Sequence, residues 1–338
     1  LIHEVGDDFV RRDLFAYRDA YHKDTPWGGK AGAALIDDDN VLIKDWLSRN
    51  WGFEPSQYLI SEALLKIALA NAYDPVIDYL EALPAWDGES RLDTWLIKYF
   101  GVKPSKDEGH AEYYAQVFRK WIFGMVLRAY KPGAKFDWMP ILEGKQGVGK
   151  SSFGRLLVGE KYFLDWLPDL ADKDSSLALQ GAWTVEMGEL PQFRRSEVEV
   201  LKAFVTRKVD KFRPPHGRRN IESARRCVFF GTTNNATYLK DDSGNRRFKP
   251  LEVGALNFTQ LEADRDQLFA EAKYLYDNGF ESERTTELED EAALYENKIH
   301  AQKMVLDEAD LMLERLYEFK DKMDAQTDPK KKFDFSMF

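Results

Sequence analysis

The 338-residue chain contains a single cysteine, Cys227, so it cannot form an intramolecular disulfide, and this usage suits a reducing cytosol. Cys227 opens an apolar run that ends at Phe230, which predicts a thiol buried in a strand. There is no secretory signal and no apolar run that approaches about eighteen residues, so we expect no membrane span. Because the chain begins at Leu1, we expect it to be a piece of a longer protein.

The 48 Lys/Arg residues are outnumbered by 58 Asp/Glu residues, which gives a formal net charge of −10, but the charges are unevenly distributed. Residues 206–226 carry eight Lys/Arg against two acidic residues, a local charge of +6. Residues 259–326 carry nineteen acidic residues against eight basic ones. The acidic C-terminal part therefore hides a basic segment in the middle of the chain, and the net charge alone does not argue against nucleic acid as a partner.

The most specific motif is the stretch Gly144–Ser151, which matches the phosphate-binding pattern G-x-x-x-x-G-K-[ST] at every fixed position. Glycines let backbone N–H groups approach a triphosphate, Lys150 would neutralise its outer phosphates, and the Ser151 hydroxyl would hold Mg²⁺. A helical pattern follows, which would place the phosphates at a helix N-terminus. The residues predicted to bind ATP are Gly144, Lys145, Gln146, Gly147, Val148, Gly149, Lys150, Ser151 and Ser152.

The periodicity of apolar residues divides the chain into three regions. Residues 1–132 are expected to be helical, residues 133–256 alternate strands with helices, and residues 257–338 are expected to form acidic amphipathic helix. Alternation around a phosphate loop predicts an α/β fold, with a parallel sheet flanked by helices. Pro140 is unfavourable in a central strand and is expected to confine pairing of the first strand to residues 141–143.

Hydrolysis of a nucleotide requires an acid that holds the metal, a group that orients water and a cation that stabilises the transition state. The apolar strand before Gly188 supplies Glu186, assigned to Mg²⁺, and Glu189, assigned to water activation, although the two roles are interchangeable. Asn234, after a second apolar strand, is expected to orient water, with Thr233 and Asn235 as alternatives. The turn before Phe248 supplies the paired arginines Arg246 and Arg247, which would act from a neighbouring subunit.

With these motifs in order, the chain resembles the virulence-associated protein E family of phage, prophage and plasmid replication proteins, a P-loop ATPase group close to superfamily 3 helicases and the AAA+ class. The resemblance extends over about residues 60–280. It is carried by residues 143–151, 186–190, 212–219, 231–234 and 244–248, with 74–80 and 91–96 upstream and 264–272 downstream. It implies that Glu186 is the Walker B acid, Asn234 the sensor, and Arg246 or Arg247 a finger acting in trans.

The resemblance also implies a β-hairpin that lines the pore of a ring, located just before the sensor strand. Residues 208–226 occupy that place, with residues 214–217 as the turn. The residues predicted to contact DNA are Lys211, Arg213, His216, Arg218 and Arg219, with Phe212 or His216 available for stacking. The alternative is that these arginines pair with acidic residues at a subunit interface. Arg225 and Arg226 are expected to serve the interface or the nucleotide instead.

The first functional hypothesis is a Mg²⁺-dependent ATPase that forms a homo-oligomer, expected to be a hexamer, and translocates on or unwinds single- or double-stranded DNA. It would act in mobile-element replication in a bacterial cytoplasm, with replication proteins as further partners. A second hypothesis is an assembly protein that ATP regulates and that acts on protein partners, for instance in phage defence. A nucleotide-gated DNA-binding initiator is a third. No primase or separate DNA-binding domain is visible in the sequence.

Overall fold

The computed structural model describes residues 2–103, 108–167, 170, 173–188, 195–213, 220–235 and 247–280. The helices are α1 (Ile2–Val5), α2 (Asp37–Trp51), α3 (Gln57–Ala70), α4 (Pro75–Glu81), α5 (Trp95–Phe100), α6 (Glu108–Tyr130), α7 (Lys150–Val158), α8 (Lys173–Ala178), α9 (Arg195–Val205) and α10 (Phe258–Asp277). The strands are β1 (Val10–Asp13), β2 (Arg18–Tyr21), β3 (Met139–Glu143), β4 (Phe163–Leu164), β5 (Thr184–Met187), β6 (Val209–Phe212), β7 (Ile221–Ala224), β8 (Val228–Thr233) and β9 (Phe248–Glu252). Within these ranges, no helix combines the length and the apolar character needed to cross a bilayer.

The central feature is a five-stranded sheet in the order β4-β5-β8-β3-β9, and every neighbouring pair in it is parallel. Side chains that alternate along a strand belong to different core clusters. Val228 and Phe230 pack with α6, α7 and α10, whereas Phe229 packs with α9. Apolar residues therefore cover both faces of the sheet, as a buried parallel sheet requires. The predicted α/β fold, a parallel sheet flanked by helices, is confirmed.

Pro140 affects one side of its strand and leaves the other intact. Pairing of β3 with β8 starts at Ile141, as predicted, but pairing with β9 runs through the whole of Met139–Glu143. The prediction that only residues 141–143 pair is therefore wrong for β9. In a strand, successive N–H groups point to opposite neighbours, so the missing N–H of a proline removes a hydrogen bond on one side only.

The first part of the chain is largely helical, but it also contains an antiparallel ribbon formed by β1 and β2, which the helical prediction for residues 1–132 missed. In the ribbon, Arg12 on β1 pairs with Asp19 on β2 across the two strands. Phe9, Val10 and Tyr21 pack with helices α2 and α3 in a core of their own. The prediction missed these strands because neither alternates apolar and polar residues: β1 is Val-Arg-Arg-Asp and β2 is Arg-Asp-Ala-Tyr.

Arg128, near the end of α6, donates hydrogen bonds to the segments that precede β3 and β8. Its fully buried guanidinium donates to the backbone carbonyls of Ala134 at 3.1 Å, Phe136 at 2.9 Å and Cys227 at 2.5 Å. Burial lowers its pKa to about 10, and the three carbonyls satisfy donors that would otherwise be costly to bury. Arg128 thus holds the loops that lead into β3 and β8.

Two carboxylates of α10 accept hydrogen bonds from α5 and from the segment that precedes it. The Tyr99 hydroxyl donates to Asp264 at 3.0 Å, and the backbone N–H groups of Arg91 and Leu92 donate to Glu271 at 2.8 and 3.0 Å. Burial raises the pKa of Glu271, while these donors favour its charged form. Two stretches that carry the family resemblance, 91–96 and 264–272, therefore meet in one polar network that positions α10.

Candidate nucleotide site

The stretch Gly144–Ser151, here called the phosphate loop, connects the end of β3 to the start of α7. Gly147 and Gly149 have φ values of 83° and 95°, a region that favours glycine. Gly149 is also the N-cap of α7, so the unpaired N–H groups of the first helical turn face the loop. A helix N-terminus after a glycine-rich loop is a favourable place for phosphate groups.

The space around two of the loop glycines explains why a side chain cannot replace them. A Cβ on Gly144 would lie 2.8 Å from the carbonyl oxygen of Val253, and a Cβ on Gly149 would lie 2.7 Å from the Cβ of Leu256. The backbone N–H of Leu256 donates to the carbonyl of Val148 at 2.8 Å. The segment after β9 is therefore packed directly against the loop and helps to set its shape.

The amino group of Lys150 lies inside the loop. It donates to the carbonyl oxygens of Gly144 at 2.7 Å and Lys145 at 2.9 Å, and to Oδ1 of Asn234 at 2.7 Å. Lys150 is 8% exposed, and burial lowers its pKa, while the charge of Glu186 acts in the opposite direction. Lys150, predicted to contact phosphate, is thus in direct contact with Asn234, predicted to orient water. Lys150 begins α7, and Asn234 follows β8.

Glu186 lies in β5 and is buried with hydroxyl partners. Its Oε1 accepts from the Ser151 hydroxyl and from the Thr232 hydroxyl, both at 2.7 Å. Thr232 is a site residue to which the sequence analysis gave no role. Since Glu186 is opposite Phe230 on β8, Thr232 is its diagonal neighbour on the same face. The signal that points to it is a hydroxyl within an apolar strand, where it needs a buried partner.

The alternatives to Asn234 point elsewhere. Thr233 is buried, and its hydroxyl accepts from the backbone N–H of Asn235 at 3.1 Å. Asn235 is exposed and lines a cleft of about 510 Å³ beside the loop, together with Lys145, Val148 and Val253. Among these three adjacent residues, Asn234 is the one that contacts Lys150. The segment after β9 also lines this cleft, which the sequence analysis did not predict.

Arg247 lies at the other edge of the sheet. Arg247 directly precedes β9, which pairs in parallel with β3 over five residues. Arg247 therefore lies at the amino edge of the sheet, whereas the phosphate loop follows β3 at the carboxyl edge. Five residues of strand span about 16 Å. The structure therefore does not bring Arg247 to the loop of its own chain. Of the other predicted catalytic residues, Glu189 and Arg246 lie outside the described residues.

Comparison with known proteins identifies the family. The model of the virulence-associated protein E-like domain matches residues 80–304. The chain belongs to this family. No curated protein matches it. It is similar to the solved apo structure of the NrS-1 C-terminal region (305–718), with 13% identity, a TM-score of 0.48, and coverage of 88% of this chain and 72% of that one. The A form of that apo region gives 14% identity and a TM-score of 0.48, with the same coverage.

In this virulence-associated protein E-like chain, the predicted hairpin before β8 is confirmed. Strands β6 and β7 pair antiparallel from Val209 opposite Ala224 to Phe212 opposite Ile221, and the segment from β6 to β7 is called the hairpin below. Lys211 and Arg213 lie on its exposed surface. The predicted turn, with His216, Arg218 and Arg219, lies outside the described residues.

Two of the basic residues near the hairpin serve the fold. Arg225 is fully buried and pairs with Asp210, and it also donates to the carbonyl of Phe204. Arg226 pairs with Asp74 and donates to the carbonyl of Ala129 at 3.1 Å. The expectation that Arg225 serves an interface or the nucleotide is therefore wrong, because its guanidinium is enclosed with Asp210. Arg226 is partly exposed and also has partners in its own chain.

Proposed function

We propose that this chain is an ATPase that uses Mg²⁺ and forms one subunit of a homohexameric ring. The ring would translocate on or unwind DNA during replication of a phage or another mobile element. The observation that carries the proposal is a pair of contacts at the carboxyl edge of the sheet. Lys150 contacts Asn234, and Ser151 shares Glu186 with Thr232. These contacts join the loop to the two strands that would supply the acid and the water-orienting amide.

The residues present fit a magnesium nucleotide. The hydroxyl of Ser151 and the carboxylate of Glu186 are hard oxygen ligands of the kind that Mg²⁺ prefers, and they already adjoin each other. Bound there, Mg²⁺ would supply neutralisation of charge on phosphate oxygens. Lys150 would exchange its loop carbonyls for phosphate oxygens, and because burial disfavours its charge, an anion is a favourable new partner. Asn234 would orient the attacking water, and Glu189 would activate it.

The position of Arg247 supports a site shared between subunits. Arg247 lies at the amino edge of the sheet, away from the phosphate loop of its own chain. The positive charge that stabilises the transferred phosphoryl group would therefore come from the guanidinium of the next subunit. A head-to-tail contact that repeats around a closed ring gives every loop such a neighbour. Arg246 or Arg247 would be that finger.

A second candidate function is an ATP-regulated assembly protein that acts on protein partners without unwinding. One observation favours it. Lys211 on the hairpin pairs with Glu222 across the strands at 2.6 Å, and Arg225 and Arg226 are internal. Three of the eight Lys/Arg residues along residues 206–226 therefore already have a carboxylate partner within the chain, which leaves fewer cations to contact a DNA backbone.

Release of phosphate from Mg²⁺-ATP, measured with and without single-stranded DNA, tests both candidates. For a translocase we expect DNA to stimulate hydrolysis, and the change of Arg218 and Arg219 to alanine to remove that stimulation. Lys150→Ala should abolish nucleotide binding, and Glu186→Gln should bind nucleotide but hydrolyse it at least about 100-fold more slowly. Glu262→Gln, on the exposed surface of α10, is the matched control and should leave both unchanged.

The outcomes separate the two candidates. If the arginine changes leave hydrolysis intact while Lys150→Ala alters the assembled mass, the assembly protein is the correct function. If ATP and DNA together leave a monomer whose turnover DNA does not stimulate, the translocase proposal is wrong.

A further inference from the structure

The turn of the ribbon presents an exposed aromatic side chain on a strained backbone. Tyr17, between β1 and β2, has a φ of 53° and is the one non-glycine residue with positive φ in the described part of the chain. The residue is 42% exposed, and the guanidinium of Arg12 lies over its ring, 5.3 Å from the centroid, which leaves the opposite face of the ring for a ligand. A bulky residue in the left-handed region is an outlier, and such outliers cluster at functional sites. The turn between β1 and β2 is therefore a candidate functional site.

Two aromatic contacts hold the ribbon turn against the hairpin. The Tyr17 ring packs edge-to-face on Phe212, the last paired residue of β6, with centroids 6.4 Å apart. At the base of the hairpin, the guanidinium of Arg226 lies 4.7 Å from the centroid of Phe15. The ribbon turn thus runs alongside the hairpin from its base to its last pair, and the two elements are expected to move together.

A groove of about 360 Å³ opens between the ribbon turn and the loop before β4. This ribbon groove is lined by Ala16, Arg18, Lys161, Tyr162, Gln180 and Gly181, among others. Its wall is joined to the hairpin, because the Ser223 hydroxyl of β7 lies 3.3 Å from Oε1 of Gln180 and donates to it. It lies at the amino edge of the sheet, as the hairpin does, and away from the phosphate loop.

The ribbon groove carries positive charge next to aromatic rings. Arg18 is exposed, and its guanidinium forms no side-chain hydrogen bond or ion pair with any residue that the structure describes. The Lys161 ammonium is about half exposed, donates to the Tyr162 hydroxyl at 3.1 Å and lies 3.9 Å from Oδ2 of Asp13. Asp13, which is also opposite Arg18 across the ribbon, uses its other oxygen to accept from the N–H groups of the turn, so its single charge offsets only part of the charge of the two cations.

We propose that the ribbon turn and the ribbon groove form a second contact for single-stranded DNA, continuous with the hairpin. Arg18 and Lys161 would contact phosphates, and Tyr17 would stack on a base. Single-strand sites combine cations that follow the backbone with aromatic rings that accept any base. This inference rests on the proposed function, since it assumes that the hairpin contacts DNA.

The exposed ring favours DNA over an acidic segment of protein as the occupant. An acidic peptide would pair with Arg18 and Lys161, but it would gain nothing from a strained and exposed Tyr17. A nucleotide strand uses both the charges and the ring. The test must therefore separate the contribution of the ring from that of the charges.

Binding of a fluorescent oligo-dT to the full chain, followed by anisotropy over a range of salt concentrations, provides this separation. Combined Arg18→Ala and Lys161→Ala should weaken binding and reduce the slope of log affinity against log salt by about 1.4, at about 0.7 per lost phosphate contact. Tyr17→Asn, which suits a left-handed backbone, should weaken binding by about tenfold with an unchanged slope, while Tyr17→Trp should retain the affinity. Lys30→Ala, an exposed basic residue that does not line the groove, is the matched control.

The outcomes distinguish this inference from the proposed function. If wild-type protein binds oligo-dT and loses it on change of Arg218 and Arg219, but the groove variants bind normally, the inference is wrong and the translocase proposal stands. If wild-type protein does not bind oligo-dT, both are wrong. If polyglutamate competes for the groove and Tyr17→Asn has no effect on oligo-dT, the occupant is an acidic protein segment. The control Lys30→Ala should leave basal ATP hydrolysis and the thermal midpoint unchanged, since Lys30 and its partner Asp24 are both exposed.

Discussion

The thiol of Cys227 is enclosed at the beginning of β8, as the apolar run around it predicted. Burial raises its pKa from the ordinary value of 9.0 to about 11. The folded chain therefore retains a proton that the unfolded chain loses between these values. The stability that this proton contributes is fully present below pH 9 and is lost as the pH rises through 11.

We therefore expect Cys227 to resist a thiol-reactive dye at pH 8 in native protein and to react rapidly in urea, because the reactive thiolate is absent and the sulfur is covered. The measurement is the rate of dye incorporation as urea increases. A Ser61→Cys variant, with its thiol on the exposed surface of α3, should react at once and is the control. Rapid labelling of native wild-type protein would contradict the burial of Cys227.

At the scale of the element, residues of the hairpin take part in two ion pairs that differ mainly in burial. Asp210 and Arg225 are almost completely enclosed, with side chains 2% and 0% exposed, whereas Lys211 and Glu222 are 71% and 65% exposed. Removing one partner of a buried pair leaves a charge without compensation, whereas an exposed pair competes with water on nearly equal terms.

Asp210→Asn is therefore expected to lower the free energy of unfolding by about 3 kcal/mol, because Arg225 stays buried without its carboxylate. Lys211→Ala, in the same hairpin, should change it by less than about 1 kcal/mol. Urea unfolding measures both. Replacing Asp210 with Leu and Arg225 with Met together should recover much of the loss, and failure of this double variant to do so would show that the pair does more than balance charge.

The packing of α10 against the phosphate loop gives a second prediction for an element. Gly149→Ala should weaken nucleotide binding by at least about tenfold, because the new Cβ would displace Leu256 and with it the start of α10. Gly159→Ala is the matched control, since Gly159 also has a positive φ, of 78°, but has no atom within 4 Å of the added Cβ. Titration with a fluorescent nucleotide compares the two. Equal affinities would mean that contact with α10 does not shape the loop.

At the scale of the whole molecule, the two edges of the sheet separate two kinds of residue. The phosphate loop, Glu186 and Asn234 lie at the carboxyl edge, while Arg247, the hairpin and the ribbon lie at the amino edge. In one copy of the chain, Arg247 therefore lies away from the phosphate loop, and under the proposed function it would act on the loop of another copy. A ring of copies in head-to-tail contact would bring these parts together.

Mixing two inactive variants tests this arrangement. Lys150→Ala disables the loop and Arg247→Ala disables the finger, so a mixed ring should contain interfaces in which an intact loop faces an intact finger. In an equal mixture about a quarter of the interfaces are of this kind, and ATP hydrolysis should return in proportion. The control is Lys150→Ala mixed with Glu186→Gln, because both residues lie on the same side of the interface and cannot complement each other. Equal rates in the two mixtures would exclude Arg247 as a finger acting in trans.

Much of the fold could be predicted from local patterns. The phosphate loop, the strands that contain Glu186 and precede Asn234, and the hairpin all appear where the sequence placed them. The β1–β2 ribbon was missed because its strands do not alternate apolar and polar residues, and the effect of Pro140 was overestimated because its missing N–H affects pairing with one neighbouring strand only. Thr232 was passed over because its partner is distant in the sequence.

The chemistry predicted for the candidate site follows from local sequence alone, because backbone contact with phosphate requires glycines and a lysine at fixed spacings, and one short stretch contains them all. Which charged side chains are exposed depends instead on how the chain folds. Arg225 and Arg226 look like Lys211 and Arg213 in the sequence, but Arg225 is buried against Asp210 and Arg226 is mostly buried against Asp74, whereas Lys211 and Arg213 lie on the exposed surface. The physical reason is that the environment of a charge depends on neighbours brought from elsewhere in the chain, which no local pattern records.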